Sequence, residues 1–216
     1  MTFRVHGFII GKNDVREYDR AFTLYTKEHG KVSVMTIGVR KITSKLCGNL
    51  ELFSEVALGL ARGRSLDRIA HVEMIDRHLS IKEQLEKSSV LYYFFEIFNH
   101  LIKDGQRDDD LYALVVDFFS SLHDVPSGKA GLAGCAALLK LGMALGCQER
   151  SNGIIQTLQR SQSILTFVKN RSNQERNDLL GYTERFVRNQ CDIQPQSKAY
   201  FDFYTAISTK YGKNAV

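Results

Sequence analysis

The chain has 216 residues, of which 44% are hydrophobic and 25% charged, and it carries a formal net charge of +5. With only 2 prolines and no low-complexity tract, the composition is that of a globular protein and excludes extended disorder. No apolar run reaches the roughly 18 residues of a membrane helix, and the N-terminus lacks the layout of a signal peptide. We therefore expect a cytoplasmic protein.

Short apolar segments separated by turn signals fill the first 79 residues, which is typical of β-strands. Strands are predicted over residues 3–11, 18–27, 31–38, 50–61 and 65–75. Gly30 is expected to close the turn between the second and third strands, because glycine tolerates positive φ. A basic loop over residues 39–49 joins the third strand to the fourth. Five strands in so short a stretch predict a small barrel or sandwich.

From residue 80 the apolar period changes to that of helices. Ser80 and Glu83 have the spacing of a capping box, and the acidic run from Asp108 favours a second helix start. Helices are predicted over residues 80–104, 108–122, 132–145, 154–168, 172–190 and 196–210. The 132–145 helix is apolar on nearly every face, which places it in the middle of a bundle. The sequence thus predicts a β domain at residues 1–79 and an all-α domain at residues 80–216.

The sequence contains no recognisable arrangement of catalytic residues. There is no G-x-S-x-G elbow, and the six histidines are scattered. The cysteines at positions 47, 135, 147 and 191 form no C-x-x-C pair, so free, buried thiols are expected. The glycines at positions 128, 131 and 134 follow no strand, so close helix packing is a better interpretation than a nucleotide site. We expect a binding protein without catalytic residues, cofactor or metal.

Positive charge is concentrated in the predicted β domain. Residues 1–79 hold 13 Lys/Arg against 9 Asp/Glu, whereas residues 80–216 hold 16 against 15. Residues 29–50 contain no Asp or Glu, and their Lys and Arg side chains are suited to neutralising phosphates. The candidate nucleic-acid contacts are first Arg40, Lys41 and Lys45, and next Lys31, Arg62 and Arg64.

Three aromatic residues lie close to this basic stretch in the sequence. Tyr18, Phe22 and Tyr25 would stack on bases if they faced outward. Packing in a protein core is the better interpretation, because large aromatic side chains dominate protein cores.

Several motifs follow one another at specific spacing in the first third of the chain. They are Gly7-Phe-Ile-Ile-Gly11, Glu17-Tyr-Asp-Arg20, Thr23-Leu-Tyr-Thr-Lys-Glu-His-Gly30-Lys31, Gly38-Val-Arg40-Lys41 and Ser44-Lys45. In this order they resemble the RecO family of bacterial recombination mediators. Leu138-Leu-Lys-Leu-Gly142 and Pro195-Gln-Ser-Lys198 extend the resemblance into the helical part.

The resemblance implies an OB-fold barrel of five strands followed by an all-α helical bundle. It implies a nucleoid-associated bacterial protein that binds single- and double-stranded DNA, anneals strands, and helps load RecA onto strands coated by the single-strand binding protein, SSB, in the RecF pathway. RecR and the C-terminal tail of SSB are the expected partners. Only Cys147 falls where many relatives carry a four-cysteine zinc module, so no zinc is expected.

Two other functions remain open at this point. The chain would be a pure adaptor if the barrel docked RecR and the helices docked SSB without any contact to DNA. It would be an RNA-binding OB-fold protein if the basic loop served RNA. The extension of the resemblance into the helical part makes the RNA-binding function the weaker alternative, whereas binding to bare oligonucleotides would distinguish the mediator from the adaptor.

Overall fold

Five β-strands precede seven α-helices in the part of the chain that the structure describes. This computed structural model describes residues 2–39, 47–147, 153–169, 171, 173–190, 195–199, 201 and 202. The chain forms two compact units, one of residues 1–78 with 102–112 and the other of residues 79–101 with 113–216. No helix among the described residues is long and apolar enough to cross a membrane.

The strands of the first unit close into a barrel in the order β1-β2-β3-β5-β4. They are β1 (Thr2–Asp14), β2 (Arg20–Thr26), β3 (Gly30–Thr36), β4 (Glu55–Ala61) and β5 (Asp67–Asp76). Neighbouring strands are antiparallel except β3 and β5, which pair in parallel and set Met35 beside Arg68. A closed five-stranded barrel of this kind is an OB-fold, so the predicted fold class is confirmed.

Alternating burial along the strands fills the barrel. On β4 the side chains of Val56, Leu58 and Leu60 are buried, and they join a core that includes Ile9 and Phe22 from β1 and β2. The strand predicted over residues 50–61 was drawn too long, since β4 begins only at Glu55. Phe53 has a φ of 61°, which is incompatible with extended backbone.

Residues 102–112 complete the first unit by lying against the turn between β2 and β3. The Gly105 N–H donates to the Lys31 carbonyl at 2.8 Å, and Lys31 Nζ lies 3.1 Å from Asp104 Oδ1. Gly30 has the predicted positive φ, 64°, and a Cβ there would lie 1.9 Å from the Gln106 carbonyl oxygen. Gly30 therefore both turns the chain and admits the 102–112 segment.

The second unit is helical. The helices are α1 (Leu79–Lys82), α2 (Leu85–Leu101), α3 (Asp109–Asp124, which begins in the first unit), α4 (Ala130–Ala144), α5 (Gly153–Arg160), α6 (Ile164–Lys169) and α7 (Asn173–Gln190). Phenylalanines of α2 and α3 pack against each other, with the ring centroids of Phe94 and Phe118 4.3 Å apart and the rings tilted by 43°. As predicted, α4 is buried on nearly every face. A Cβ on its Gly134 would lie 2.6 Å from Val90, so this glycine serves close helix packing.

Helix boundaries differ from the prediction where side chains from elsewhere intervene. The capping box at Ser80 is wrong, because Ser80 lies inside the four-residue α1. The helix predicted over residues 154–168 is two helices, α5 and α6. The Asp117 carboxylate accepts the Ile164 N–H at 2.9 Å, and the Ser121 hydroxyl accepts the Leu165 N–H at 2.9 Å. These two side chains of α3 thus supply a separate cap for α6.

The structure also tests the predicted boundaries of two further helices. The helix at Asp108 is confirmed, since the Asp108 carboxylate accepts the Leu111 N–H at 2.9 Å as an N-cap. The first long helix ends at Leu101 and not at Asp104, because Asp104 forms an isolated bridge with Lys31. The helix predicted over residues 196–210 is described only as far as residue 202.

Candidate nucleic-acid interface on the barrel

The outer face of β2 and β3 is the surface on which OB-folds bind oligonucleotides, with flanking loops at its borders. The paired residues that face outward are Ala21 with Met35 and Thr23 with Ser33. All four are half-buried and uncharged. We call these four residues the β2–β3 strip. Since no carboxylate projects from the strip itself, a polyanion can approach it closely.

Arg68 adds a positive charge at one border of the strip. The parallel pairing of β3 with β5 places it directly beside Met35, and it is exposed. The next residue, Ile69, is buried in the barrel core. Sequence reasoning missed Arg68 as a candidate. Alternation around Ile69 places it on the outside of the barrel, but only the β3–β5 register places it beside the strip.

The β4–β5 loop, residues 62–66, carries the sequence-predicted Arg62 and Arg64, and both are exposed. The Arg62 guanidinium lies 4.8 Å from the centroid of the Phe3 ring and 3.5 Å from a carboxylate oxygen of Asp67. Its side chain nevertheless remains 69% exposed. Arg62 is therefore held in position while its guanidinium stays accessible to a phosphate.

The β4–β5 loop is a tight turn. The Asp67 carboxylate accepts the Gly63 N–H at 3.1 Å. A Cβ on Gly63 would lie 1.8 Å from the Leu66 carbonyl oxygen, so only glycine fits without a shift of the backbone. The turn thus fixes the stretch of chain from which Arg62 and Arg64 project.

The β1–β2 loop, residues 15–19, directly precedes β2, whose first residue, Arg20, pairs with Thr36 at the end of β3. The Asp19 carbonyl accepts the N–H groups of Val15 and Arg16 at 3.1 and 3.4 Å. The Asp19 carboxylate accepts the Gly38 N–H at 2.9 Å. This loop is therefore a closed turn that is tied to the start of the basic loop.

The three first-ranked DNA contacts, Arg40, Lys41 and Lys45, lie outside the described residues. The chain on either side of them is held to the barrel. Gly38 bonds to Asp19 at one end, and Arg77 Nη2 donates to the Gly48 carbonyl at 3.0 Å at the other. The flanks of the basic loop are thus fixed to the OB-fold.

Lys31, another predicted DNA contact, lies in a different environment. Its side chain is 11% exposed and forms the ion pair with Asp104, and its carbonyl accepts the Gly105 N–H. The structure therefore brings Lys31 to the 102–112 segment. As a phosphate contact it stays a prediction.

Two of the three candidate aromatic residues are core residues, as the sequence favoured. Phe22 and Tyr25 are 1% and 0% exposed. Tyr112 lies with its ring centroid 6.3 Å from that of Tyr25. Burial, with smaller effects of Glu55 and Glu28, raises the pKa of Tyr112 to about 12. Tyr18, by contrast, is 45% exposed.

Several lysines of the helical unit are engaged at helix ends. Lys129 Nζ donates to the carbonyls of Val168 and Lys169 at 3.3 and 3.0 Å, and Lys140 Nζ donates to the Ser161 carbonyl at 3.2 Å. These cations stabilise the last carbonyls of α6 and the carbonyl that directly follows α5, which lack helical hydrogen-bond partners. Among the described residues, no group of three or more His, Cys, Asp or Glu converges as metal ligands would.

Comparisons with known proteins agree with this architecture. The family profile described as "Recombination protein O N terminal" matches residues 1–78. The chain is 29% identical over 144 residues to "DNA repair protein RecO" of Pelotomaculum thermopropionicum, covering 67% of this chain and 55% of that protein. It is 30% identical over 121 residues to the protein of the same name from Symbiobacterium thermophilum, covering 56% and 47%. For the Dehalococcoides mccartyi protein the identity is 31% over 126 residues, covering 58% and 49%. The chain thus spans about half the length of the curated relatives that it matches.

Proposed function

The chain belongs to the RecO family, and we propose that it is a DNA repair and recombination mediator that binds single- and double-stranded DNA through its barrel. It anneals complementary strands and helps load RecA onto single strands coated by SSB. RecR and the C-terminal tail of SSB are its protein partners. It binds and positions DNA strands and catalyses no reaction itself. The name shared by its relatives, DNA repair protein RecO, supports the repair role.

The observation that carries the proposal is the position of Arg68 beside the β2–β3 strip. The register sets Arg68 next to Met35, and the Ala21–Met35 and Thr23–Ser33 pairs continue the strip away from it. An uncharged strip bordered by arginines suits a nucleic-acid strand, because the cations neutralise phosphates while small and polar side chains contact the sugars and bases.

The loops at the two ends of the strands extend this surface. Arg62 and Arg64 are exposed on the β4–β5 loop, and the basic loop with Arg40, Lys41 and Lys45 follows the anchored Gly38. A strand that lies along β2 and β3 would reach cations at both ends. Single OB-folds bind roughly 4–16 nucleotides, which agrees with a path of this kind.

Equilibrium binding of the whole chain to bare, labelled oligonucleotides of about 20 nucleotides tests the proposal. If about four phosphate contacts form, the affinity for single strands falls with salt at a log–log slope near −3. Complementary strands should also anneal faster in the presence of the protein. Lack of DNA binding would refute the proposal and leave the adaptor that bridges RecR and SSB. Tighter binding to RNA of the same sequence would make the chain an RNA-binding protein.

A further inference from the structure

We propose that Tyr18, with Val15 and Ile37 beside it, forms a stacking site for an unpaired base, so that the β1–β2 loop selects single-stranded over double-stranded DNA. The inference rests on the proposed DNA binding and adds to it a specificity determinant. It concerns base contacts at the loop, whereas the arginines of the proposed interface contact phosphates.

Three large hydrophobic side chains are exposed at this end of the barrel. Val15, Tyr18 and Ile37 are 48%, 45% and 57% exposed. The backbone segments that carry them are joined at Asp19, whose carbonyl accepts the Val15 N–H and whose carboxylate accepts the N–H of Gly38, the residue after Ile37. Because these bonds close the turn before any ligand arrives, little ordering of the backbone is required on binding.

The charge of this loop favours bases over phosphates. From Asp14 to Arg20 the sequence has three acidic residues and two arginines. Asp14 and Arg20 form an ion pair at 2.7 Å, and a hydrogen bond between Glu17 and the Tyr18 hydroxyl raises the pKa of that phenol. A surface that is slightly acidic and apolar repels the phosphates that a duplex presents on its outside. The same surface accepts the flat face of an unpaired base.

The size of the exposed apolar surface points to a base as the occupant. Together, the three half-exposed side chains present on the order of 300 Å² of surface. For comparison, one aromatic side chain buries roughly 150–250 Å² when it is fully enclosed. A stable protein interface needs about 800 Å² on each partner. The site is therefore too small to be a protein-docking surface by itself, and its size suits a stacked base.

A fluorescence experiment can detect stacking directly, because the chain contains no tryptophan. Tyr18→Trp introduces a single reporter in the loop. Tyr92→Trp places a matched reporter on α2, where Tyr92 is 48% exposed. Titration with single-stranded oligothymidine should quench the tryptophan at position 18 and leave the one at position 92 unchanged. DNA binding without quenching at position 18 would overturn the inference.

Affinity measurements supply the second test. Tyr18→Ala should weaken binding to single strands by roughly 5- to 150-fold, the range for loss of one base–aromatic stack. Its affinity for a duplex of equal length and its salt slope should stay unchanged, and Tyr18→Phe should bind like the original chain. Equal losses for both DNA forms, or no loss for either, would refute the stacking site while the proposed function stands. Failure of the original chain to bind DNA at all would refute both.

Discussion

Replacement of Arg62, Arg64 and Arg68 by glutamine should remove a large and salt-dependent part of the DNA affinity. Glutamine keeps most of the aliphatic stem and abolishes the charge, so the contact of Arg62 with Phe3 is disturbed less than by alanine. Each phosphate contact to a single strand contributes about 0.7 to the log–log salt slope. The triple variant should therefore have a slope shallower by about 2.

The same relation gives the size of the effect at any salt concentration. If the affinity extrapolated to 1 M salt is unchanged, three contacts account for a loss of about 500-fold at 50 mM salt and about 30-fold at 200 mM. Fluorescence anisotropy over this range measures both the slope and the affinity. The losses should be similar for different DNA sequences, because phosphate contacts carry no sequence information.

A matched control separates a local effect from a general loss of positive charge. Arg160, Arg185 and Arg188 are exposed arginines of the helical unit, and their replacement by glutamine removes the same charge. This control should retain the original slope. Equal changes in the two triple variants, or no change in the barrel variant, would refute the placement of DNA on the barrel.

Three further predictions concern the framework that positions the interface. Lys31→Ala should lower the free energy of unfolding, with a coupling of about 1 kcal/mol to Asp104→Asn in a double-mutant cycle, because the largely buried Lys31 ammonium pairs with Asp104. Gly63→Ala should cost about 1–3 kcal/mol in urea unfolding, because its Cβ would lie 1.8 Å from the Leu66 carbonyl oxygen. Tyr112→Phe should raise the free energy of unfolding by about 1 kcal/mol, since the buried hydroxyl of Tyr112 has no hydrogen-bond partner among the described residues. Because burial raises the pKa of Tyr112 to about 12, ionisation of its hydroxyl should lower the free energy of unfolding as the pH rises from about 10 to 12. Tyr112→Phe should reduce that alkaline loss in urea unfolding measured across this range.

Each of these predictions has a result that would contradict it. A coupling near zero between Lys31 and Asp104 would show that their ion pair does not stabilise the fold. Unchanged stability of Gly63→Ala would show that the β4–β5 loop adapts without cost. A less stable Tyr112→Phe would mean that the hydroxyl has a partner in solution.

Local sequence patterns were enough to predict the strands but not which strands pair or in which register. Alternating burial on β4 and the turn at Gly30 follow from neighbouring residues, so they were predictable. The β3–β5 register joins residues more than thirty positions apart, and no local pattern encodes it. Arg68 was missed for that reason.

Long-range contacts explain the other differences as well. The 102–112 segment joins the first unit through Lys31 and Asp104, although its sequence reads as the end of one helix and the start of another. Lys31 has the charge of a DNA contact but an ion-pair partner 73 positions away in the sequence. The start of α6 is capped locally by Ser163 and also by Asp117 and Ser121 of α3, and a helical period cannot reveal the two caps from α3.

Photocrosslinking tests most directly whether the barrel is the DNA-binding surface. Single strands that carry iododeoxyuridine are crosslinked to the whole chain, and the attached peptides are identified by mass spectrometry. The crosslinks should fall in the β1–β2 loop, residues 15–19, in the basic loop, residues 39–49, and in residues 62–68. Crosslinks confined to the helical residues 113–190 would contradict the assignment of DNA binding to the barrel.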